Sequence, residues 1–242
     1  MNDFPKLIEE VSKHNQFDLN YFLNSGIPWL KLNINVPNFD QTVFTEAIQQ
    51  STDWRKKWNF SNKNELVTTD YQVKEWNGSL LFGPTNWKKW LQIVNNNNHK
   101  NDEDHLCMLH RNDLGFSRRL EESHPIRKFV ESIFSHEKDI NIVNFYVLPP
   151  GGYLFPHIDP TQGDKALNKI YIPLKWKEGN EFGFYKLGNA PFKQNRAYLI
   201  NNYRYAHWVL NRSNEPRVVL DIGANLHSIS DLIQQSYFES FQ

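Results

Sequence analysis

Cysteine is nearly absent: Cys107 is the only one in 242 residues. A lone thiol excludes an internal disulfide and suits a reducing compartment. Neither sign of charge is in excess. Lys plus Arg and Asp plus Glu both number 27, a formal net charge of +0, so no global field draws the chain to nucleic acid or an anionic membrane. No run approaches the roughly 20 apolar residues needed to span a bilayer. The start, Met1-Asn2-Asp3-Phe4-Pro5-Lys6, lacks the apolar stretch of a secretory leader. A soluble, cytoplasmic protein without nucleic-acid or membrane partners is expected. Apolar material is not scarce: 39% of residues are hydrophobic and 14% aromatic, enough to build a core. The length fits one large β-rich domain or two small ones.

Local patterns divide the chain by grammar. Phe4, Leu7, Ile8 and Val11 have helical spacing. Pro28 to Val36 alternates apolar and polar as a half-buried strand does. Thr42 to Gln50 reads as a helix, and Trp54, Trp58 and Phe60 as cover for the core. Trp76 to Pro84 is a short strand with a Gly-Pro stop. Asn86 to Val94 reads as a helix, Asn95 to Asp104 as a polar loop, and His105 to Leu120 gives mixed signals. Pro125 suits the first turn of a helix carrying Ile126, Phe129, Val130, Ile133 and Phe134.

From Ile140 the pattern becomes that of short strands. Ile140 to Leu148, Lys169 to Trp176, Glu181 to Leu187, Arg196 to Asn201, Ala206 to Leu210 and Arg217 to Ile222 are separated by Pro, Gly and Asn turns. This spacing favours a sandwich or barrel, of which the double-sheet jelly roll is one form. One domain is expected over residues 1–242, mainly β with flanking helices. Residues 1–139 form a mixed helix and strand part packed on a β-core at 140–226, and 227–242 form a C-terminal tail.

Chemistry concentrates in that core. Pro156-His157-Ile158-Asp159-Pro160 places two metal-capable side chains one residue apart, and His207 follows fifty positions later. On an extended strand, residues i and i+2 share a face, so His157 and Asp159 can reach one ion. Two imidazoles and a carboxylate on one face of a metal mark non-haem Fe(II) oxygenases. Alone, His-x-Asp is a common chance pattern, and His157 and His207 also read as a turn histidine and a strand histidine. Arg217 opens the apolar stretch Arg217-Val218-Val219-Leu220-Asp221-Ile222. A guanidinium inside a β-core must meet an anion. It either faces solvent, pairs with Asp221, or clamps a dicarboxylate, for which its planar fork is suited.

In order along the chain come Leu148-Pro149-Pro150-Gly151-Gly152 before His157, Lys169-Ile170-Tyr171-Ile172-Pro173-Leu174, and Tyr198-Leu199-Ile200-Asn201-Asn202 before His207. Asn211-Arg212-Ser213 and Arg217-Val218-Val219-Leu220-Asp221 complete the series. The stretch Asn144 to Leu226, with a fainter echo at Trp76 to Gly83, resembles the aspartyl/asparaginyl β-hydroxylase-like branch of the Fe(II)- and 2-oxoglutarate-dependent oxygenases. That branch includes protein aspartyl hydroxylases and some free-proline hydroxylases. The resemblance implies a double-stranded β-helix (jelly-roll, cupin-like) core. It implies Fe(II) held by His157, Asp159 and His207, with 2-oxoglutarate and O2 as cosubstrates. Arg217 would hold the distal carboxylate of 2-oxoglutarate, helped by the hydroxyl of Tyr146. Lys169 and Tyr171 stand where the family often has Arg and His near the cosubstrate, and Trp76 would line the same pocket.

The implied reaction is hydroxylation of an unactivated C–H of an amino-acid side chain, with release of succinate and CO2. The substrate is an Asp, Asn or Pro type residue in a protein or peptide, or else a free amino acid such as proline. Arg111, Arg118, Arg119 and Arg204 could meet a substrate carboxylate, although surface charge explains them equally. Two other readings stay open: a cupin-type metal enzyme that does not use 2-oxoglutarate, and a non-catalytic binding module.

Overall fold

The computed structural model describes residues 19–20, 27–50, 52–53, 73–74, 77–84, 114–116, 120–158, 169–202 and 204–241. The expected helices at Phe4 to His14 and Asn86 to Val94 lie outside them, as do the loop at Asn95 to Asp104 and the residues Trp54, Trp58 and Phe60.

Within the described residues the strands are β1 (Trp29–Leu32), β2 (Thr52–Asp53), β3 (Val73–Lys74), β4 (Asn77–Pro84), β5 (Leu114–Phe116), β6 (Ile140–Leu148) and β7 (Tyr153–His157). They continue as β8 (Lys169–Lys175), β9 (Asn180–Phe184), β10 (Gly188–Asn189), β11 (Ala197–Ile200), β12 (His207–Asn211) and β13 (Arg217–Ala224). The helices are α1 (Gln41–Gln50), α2 (Pro125–Ile133) and α3 (Ser230–Phe241). One sheet runs β1-β11-β8-β13-β6-β4-β2, with β5 paired to β4, and a second runs β10-β9-β12-β7-β3. From β6 onward the chain alternates between the sheets: β6, β8, β11 and β13 enter the large one, β7, β9 and β12 the small one. That alternation is the double-stranded β-helix.

The large sheet is buried on both faces, and side-chain alternation sorts its residues between them. Val143, Phe145, Val147, Ile170, Ile172, Leu174, Leu199, Val218, Leu220 and Ile222 pack with Val43, Ile126, Phe129, Val130 and Ile233 of the helices. The intervening residues Tyr171, Tyr198, Ile200 and Val219 face the small sheet and pack with Phe182, Phe184 and Phe192. Two covered faces explain why β13 is buried at every residue from Arg217 to Gly223. Each fully buried Leu or Ile on the helix side contributes about 1.5–3 kcal/mol. Helix α2 starts as its sequence indicates, with Pro125 in its first turn and His124 as cap. His124 Nδ1 accepts the Ile126 N–H at 3.2 Å, while its Nε2 lies 3.1 Å from Glu46 on α1.

Several boundaries differ from the expectation. The first strand ends at Leu32, because the Asn33 N–H is taken by Ser236 Oγ of α3 at 2.9 Å. The run expected at Glu181 to Leu187 ends as a strand at Phe184, and β10 follows beyond a tight turn, with Lys186 at φ 67 and Gly188 at φ 89. The segment 227–242, expected as a tail, carries α3. Ile233 and Tyr237 on α3, and Ile229 just before it, recur every fourth residue and are buried, and the helix packs on β1. Strands β1 and β4, from before residue 140, are built into the large sheet.

The turn between β12 and β13 is fixed by Asn211, which is fully buried. Its Nδ2 donates to the carbonyls of Leu148 and Glu215 at 2.7 and 2.8 Å. Its Oδ1 accepts from Asn180 Nδ2 at 2.6 Å and from Ser213. Truncation strands these groups, each costing about 1–3 kcal/mol when buried without a partner. Asn211→Ala is therefore expected to destabilise the fold by about 3 kcal/mol in denaturant unfolding. Exposed Asn189→Ala should stay within about 0.5 kcal/mol of the parent.

Candidate active site

Strands β7 and β12 are antiparallel neighbours, and His157 and His207 are direct cross-strand partners. Their ring centroids lie 4.2 Å apart. The register then shifts, so that Val209 pairs with Leu154: two steps along β12 match three along β7. The extra residue falls at Phe155-Pro156, where a proline without an N–H fits a bulge. The bulge turns Leu154 and His157 into the same cavity, although three positions separate them.

Both imidazoles are held alike. His157 Nδ1 lies 2.8 Å from the carbonyl oxygen of Phe155, and His207 Nδ1 lies 3.2 Å from that of Tyr205. A carbonyl only accepts, so each Nδ1 is the protonated donor and the lone pair of the neutral ring sits on Nε2. An outer hydrogen bond of this kind orients a metal-binding histidine. His207 is buried and stacks parallel to Phe182, with centroids 5.5 Å apart. The neighbouring Trp208 turns to the opposite face and lies over Gly183, where a Cβ would meet its ring at 2.2 Å. Asp159 lies outside the described residues, and among those described no group of three His, Cys, Asp or Glu side chains could hold a metal.

The cavity beside the histidines has about 90 Å³ of open space and lies between the two sheets. Besides His157 and His207, it is lined by Tyr146, Lys169, Tyr171 and Arg217, four of the five residues expected around the cosubstrate. Trp76, the fifth, lies outside the described residues, as do Arg111, Arg118 and Arg119. Arg204 is exposed.

Arg217 is 3% exposed and does not face solvent. Its Nη1 donates weakly to the Glu181 carbonyl at 3.4 Å. Its Nε has no hydrogen-bond partner among the described residues. Its Cζ sits 4.7 Å from the ring centre of Trp176 and 5.7 Å from that of Tyr171. Burial alone pulls its pKa down to about 9, which still leaves it protonated at neutral pH. Asp221 lies four residues along the same strand, and Lys169 sits 3.6 Å from its carboxylate. The Tyr171 hydroxyl is buried without a hydrogen-bond partner among the described residues. The cavity thus joins two imidazoles to a desolvated cation and a buried donor, a constellation whose chemistry suits a metal and a polar anion together. Sequence reasoning overlooked Trp176, whose signal was only its place beside Lys175 at the end of β8.

The family model for aspartyl/asparaginyl beta-hydroxylase matches residues 41–224, well over half of the chain. The chain belongs to this family. Membership makes it a 2-oxoglutarate-dependent hydroxylase whose reaction uses Fe(II) and O2. No curated protein matches the sequence. Among solved structures it is similar to a prolyl-4-hydroxylase of Pseudomonas putida, at 12% identity over 91% of this chain and 97% of that one, with a TM-score of 0.41. It is also similar to a viral collagen prolyl hydroxylase of Paramecium Bursaria Chlorella virus-1, at 14% identity over 82% and 96%, with a TM-score of 0.42. A 2OG-Fe(II) oxygenase family oxidoreductase of Burkholderia pseudomallei shares 10% identity over 88% and 94%, with a TM-score of 0.41. These likenesses are distant. Among the described residues no helix is long and apolar enough to cross a membrane.

The paired imidazoles give a direct test. Titrated with Co(II) and followed by visible absorption, His157→Ala and His207→Ala should each lose at least about a hundredfold in metal affinity. That is the upper end of what loss of a mere supporting hydrogen bond costs. Exposed His136→Ala should bind as the parent does.

Proposed function

We propose that the hydroxylase adds oxygen to an unactivated C–H of an amino-acid side chain, an Asp, Asn or Pro type residue carried in a protein or peptide. One observation carries this reading. Two carbonyl-anchored imidazoles share a cavity with a buried guanidinium that has no carboxylate within ion-pair distance among the described residues.

The donor set fits iron. His157 and His207 supply two imidazole nitrogens, and Asp159, two residues beyond His157 in sequence, is the carboxylate that completes a facial set with them. With that set filled, bound Fe(II) supplies the oxidising chemistry by which one oxygen atom of O2 enters the substrate while 2-oxoglutarate leaves as succinate and CO2. The chain's own residues bind and orient. Arg217 takes the distal carboxylate of 2-oxoglutarate, which restores the charge partner that burial denies it. Tyr146 and the Tyr171 hydroxyl supply hydrogen bonds along the cosubstrate, and Lys169, poised at Asp221, supplies a second positive charge. Trp76 is assigned to the same pocket. Leu154, Phe182, Val209 and Val219 make the walls apolar, which excludes water and strengthens each of these polar contacts.

Exposed apolar side chains on the segments beside the histidines favour a substrate larger than a free amino acid. Phe155, Ile158 and Tyr185 are the exposed large hydrophobic side chains among the described residues. Phe155 and Ile158 flank His157, and the Tyr185 N–H bonds the carbonyl of Ala206, next to His207, at 2.7 Å. Exposed apolar side chains beside the paired histidines along the chain suit the residues flanking a target position in a peptide. Mass spectrometry for added oxygen, with peptide libraries and free amino acids offered in parallel, tests this. Oxygen added only to free amino acids rejects the peptide reading.

Two outcomes test the cosubstrate assignment. Arg217→Ala should raise KM for 2-oxoglutarate on the order of a hundredfold, as loss of a buried charge partner does. The pH dependence has a fixed sign. The protonated guanidinium is the binding form, so KM for 2-oxoglutarate should rise as pH climbs through about 9. It should stay level from neutral pH up to that point. Substrate-stimulated succinate release that survives His157→Ala overturns the iron assignment.

A further inference from the structure

Trp176 stands at the end of β8, half-buried, with its ring centre 4.7 Å from Arg217 Cζ, nearer than the 5.7 Å of Tyr171. It is held there from several directions. Its backbone N–H donates to Gln194 Oε1 at 3.1 Å, and its ring meets Phe192 edge-on at 6.5 Å. The flanking lysines, Lys175 and Lys177, both reach Glu215, at 2.9 and 3.5 Å. Glu215 lies two residues before Arg217 on the approach to β13. One carboxylate therefore ties the strand end bearing the indole to the chain bearing the guanidinium. Between β8 and β13 the register also shifts, with Val218 opposite Lys175 and Val219 opposite Pro173. The extra residue on β8 re-aims the strand end that carries Trp176.

An aromatic face is an unusual partner for a buried cation whose function is to bind an anion. A carboxylate in its place would neutralise Arg217 and compete with the ligand. The ring quadrupole holds and orients the charge while leaving its hydrogen-bond donors to whatever docks beside it. We propose that Trp176 is a positioning residue that holds the Arg217 guanidinium ready, by cation–π contact, for the distal carboxylate of the 2-oxoacid. The assignment rests on Arg217 being the anchor for that carboxylate. Trp176 thereby sets the preference for a dicarboxylate cosubstrate, and Glu215 maintains the contact from outside the cavity.

The test is calorimetric binding of 2-oxoglutarate to the Mn(II)-loaded protein, with no turnover, for Trp176→Leu, Trp176→Phe and Arg217→Ala. Trp176→Leu should weaken binding on the order of tenfold, the loss expected for a desolvated cation–π contact. Trp176→Phe, which keeps an aromatic face, should recover most of that loss. In turnover assays the Trp176→Leu defect should appear in KM for 2-oxoglutarate, with kcat close to that of the parent. Parent-like binding by Trp176→Leu, or an equal defect in Trp176→Leu and Trp176→Phe, overturns the inference. If Trp176→Leu does not fold, Trp176→Phe decides: a weakening of about twofold to threefold supports the contact, and none overturns it. The variants distinguish the role of Trp176 from that of Arg217. Arg217→Ala weakening binding while both Trp176 variants leave it unchanged removes Trp176 and keeps the anchor. Unchanged binding by Arg217→Ala removes both.

Discussion

The site depends on one unsatisfied charge. Arg217 is 3% exposed on a central strand, and among the described residues its neighbours are rings and a carbonyl rather than a carboxylate. Burial of an ion without a counter-ion costs several kcal/mol even after relaxation. A chain selected only for stability would place an apolar residue there or move the Asp221 carboxylate next to it. Here Lys169 is at Asp221 instead, and among the described residues the guanidinium Nε keeps no protein partner. The remainder of the architecture supports that cost. The helix-facing side of the same strands carries the large apolar cluster, so the polar inner face is laid over a core that is stable on the other side.

The two halves of the site sit on different sheets, and this division has a chemical consequence. His157 and His207 belong to neighbouring strands of the small sheet, so backbone hydrogen bonds fix their separation directly. Arg217, Tyr171 and Lys169 belong to the large sheet. Facing sheets lie about 10 Å apart. A ligand that met both sets, as proposed, would carry a metal-binding group towards the small sheet and an anion towards the large one. A 2-oxo dicarboxylate has that form.

Much of this was legible in the chain, for reasons that differ by residue. The β6, β8, β9, β11, β12 and β13 runs announced themselves because short apolar segments punctuated by Pro, Gly and Asn turns survive in the sequence. The histidines were legible as a pair only through the order of motifs around them, since His-x-Asp by itself is common. Helix α3 was missed because a short, polar segment draws its stability from Ile229, Ile233 and Tyr237 docking on the sheet, and intrinsic propensity carries little of that. The pairing of Lys169 with Asp221 was also missed, because residues distant in sequence become neighbours only through the register of β8 on β13. Trp176 was read as the end of a strand. Its relation to Arg217 comes from a register shift and from the Glu215 clamp, neither of which leaves a local pattern.

The bulge on β7 shows how little sequence such a site requires. Without the extra residue at Phe155-Pro156, strict alternation would send Leu154 and His157 to opposite faces of β7. With it, His157 enters the cavity and faces His207, and its Nδ1 meets the carbonyl of Phe155 within the bulge itself. The carbonyl that fixes the tautomer is thus supplied by the same distortion that aims the ring. Pro156 helps keep the irregularity in place, since it has no N–H to return to the ladder. A single inserted position therefore sets which face the imidazole takes, which nitrogen carries its proton and where its lone pair points, and each of these is needed before a metal can be shared with the strand alongside.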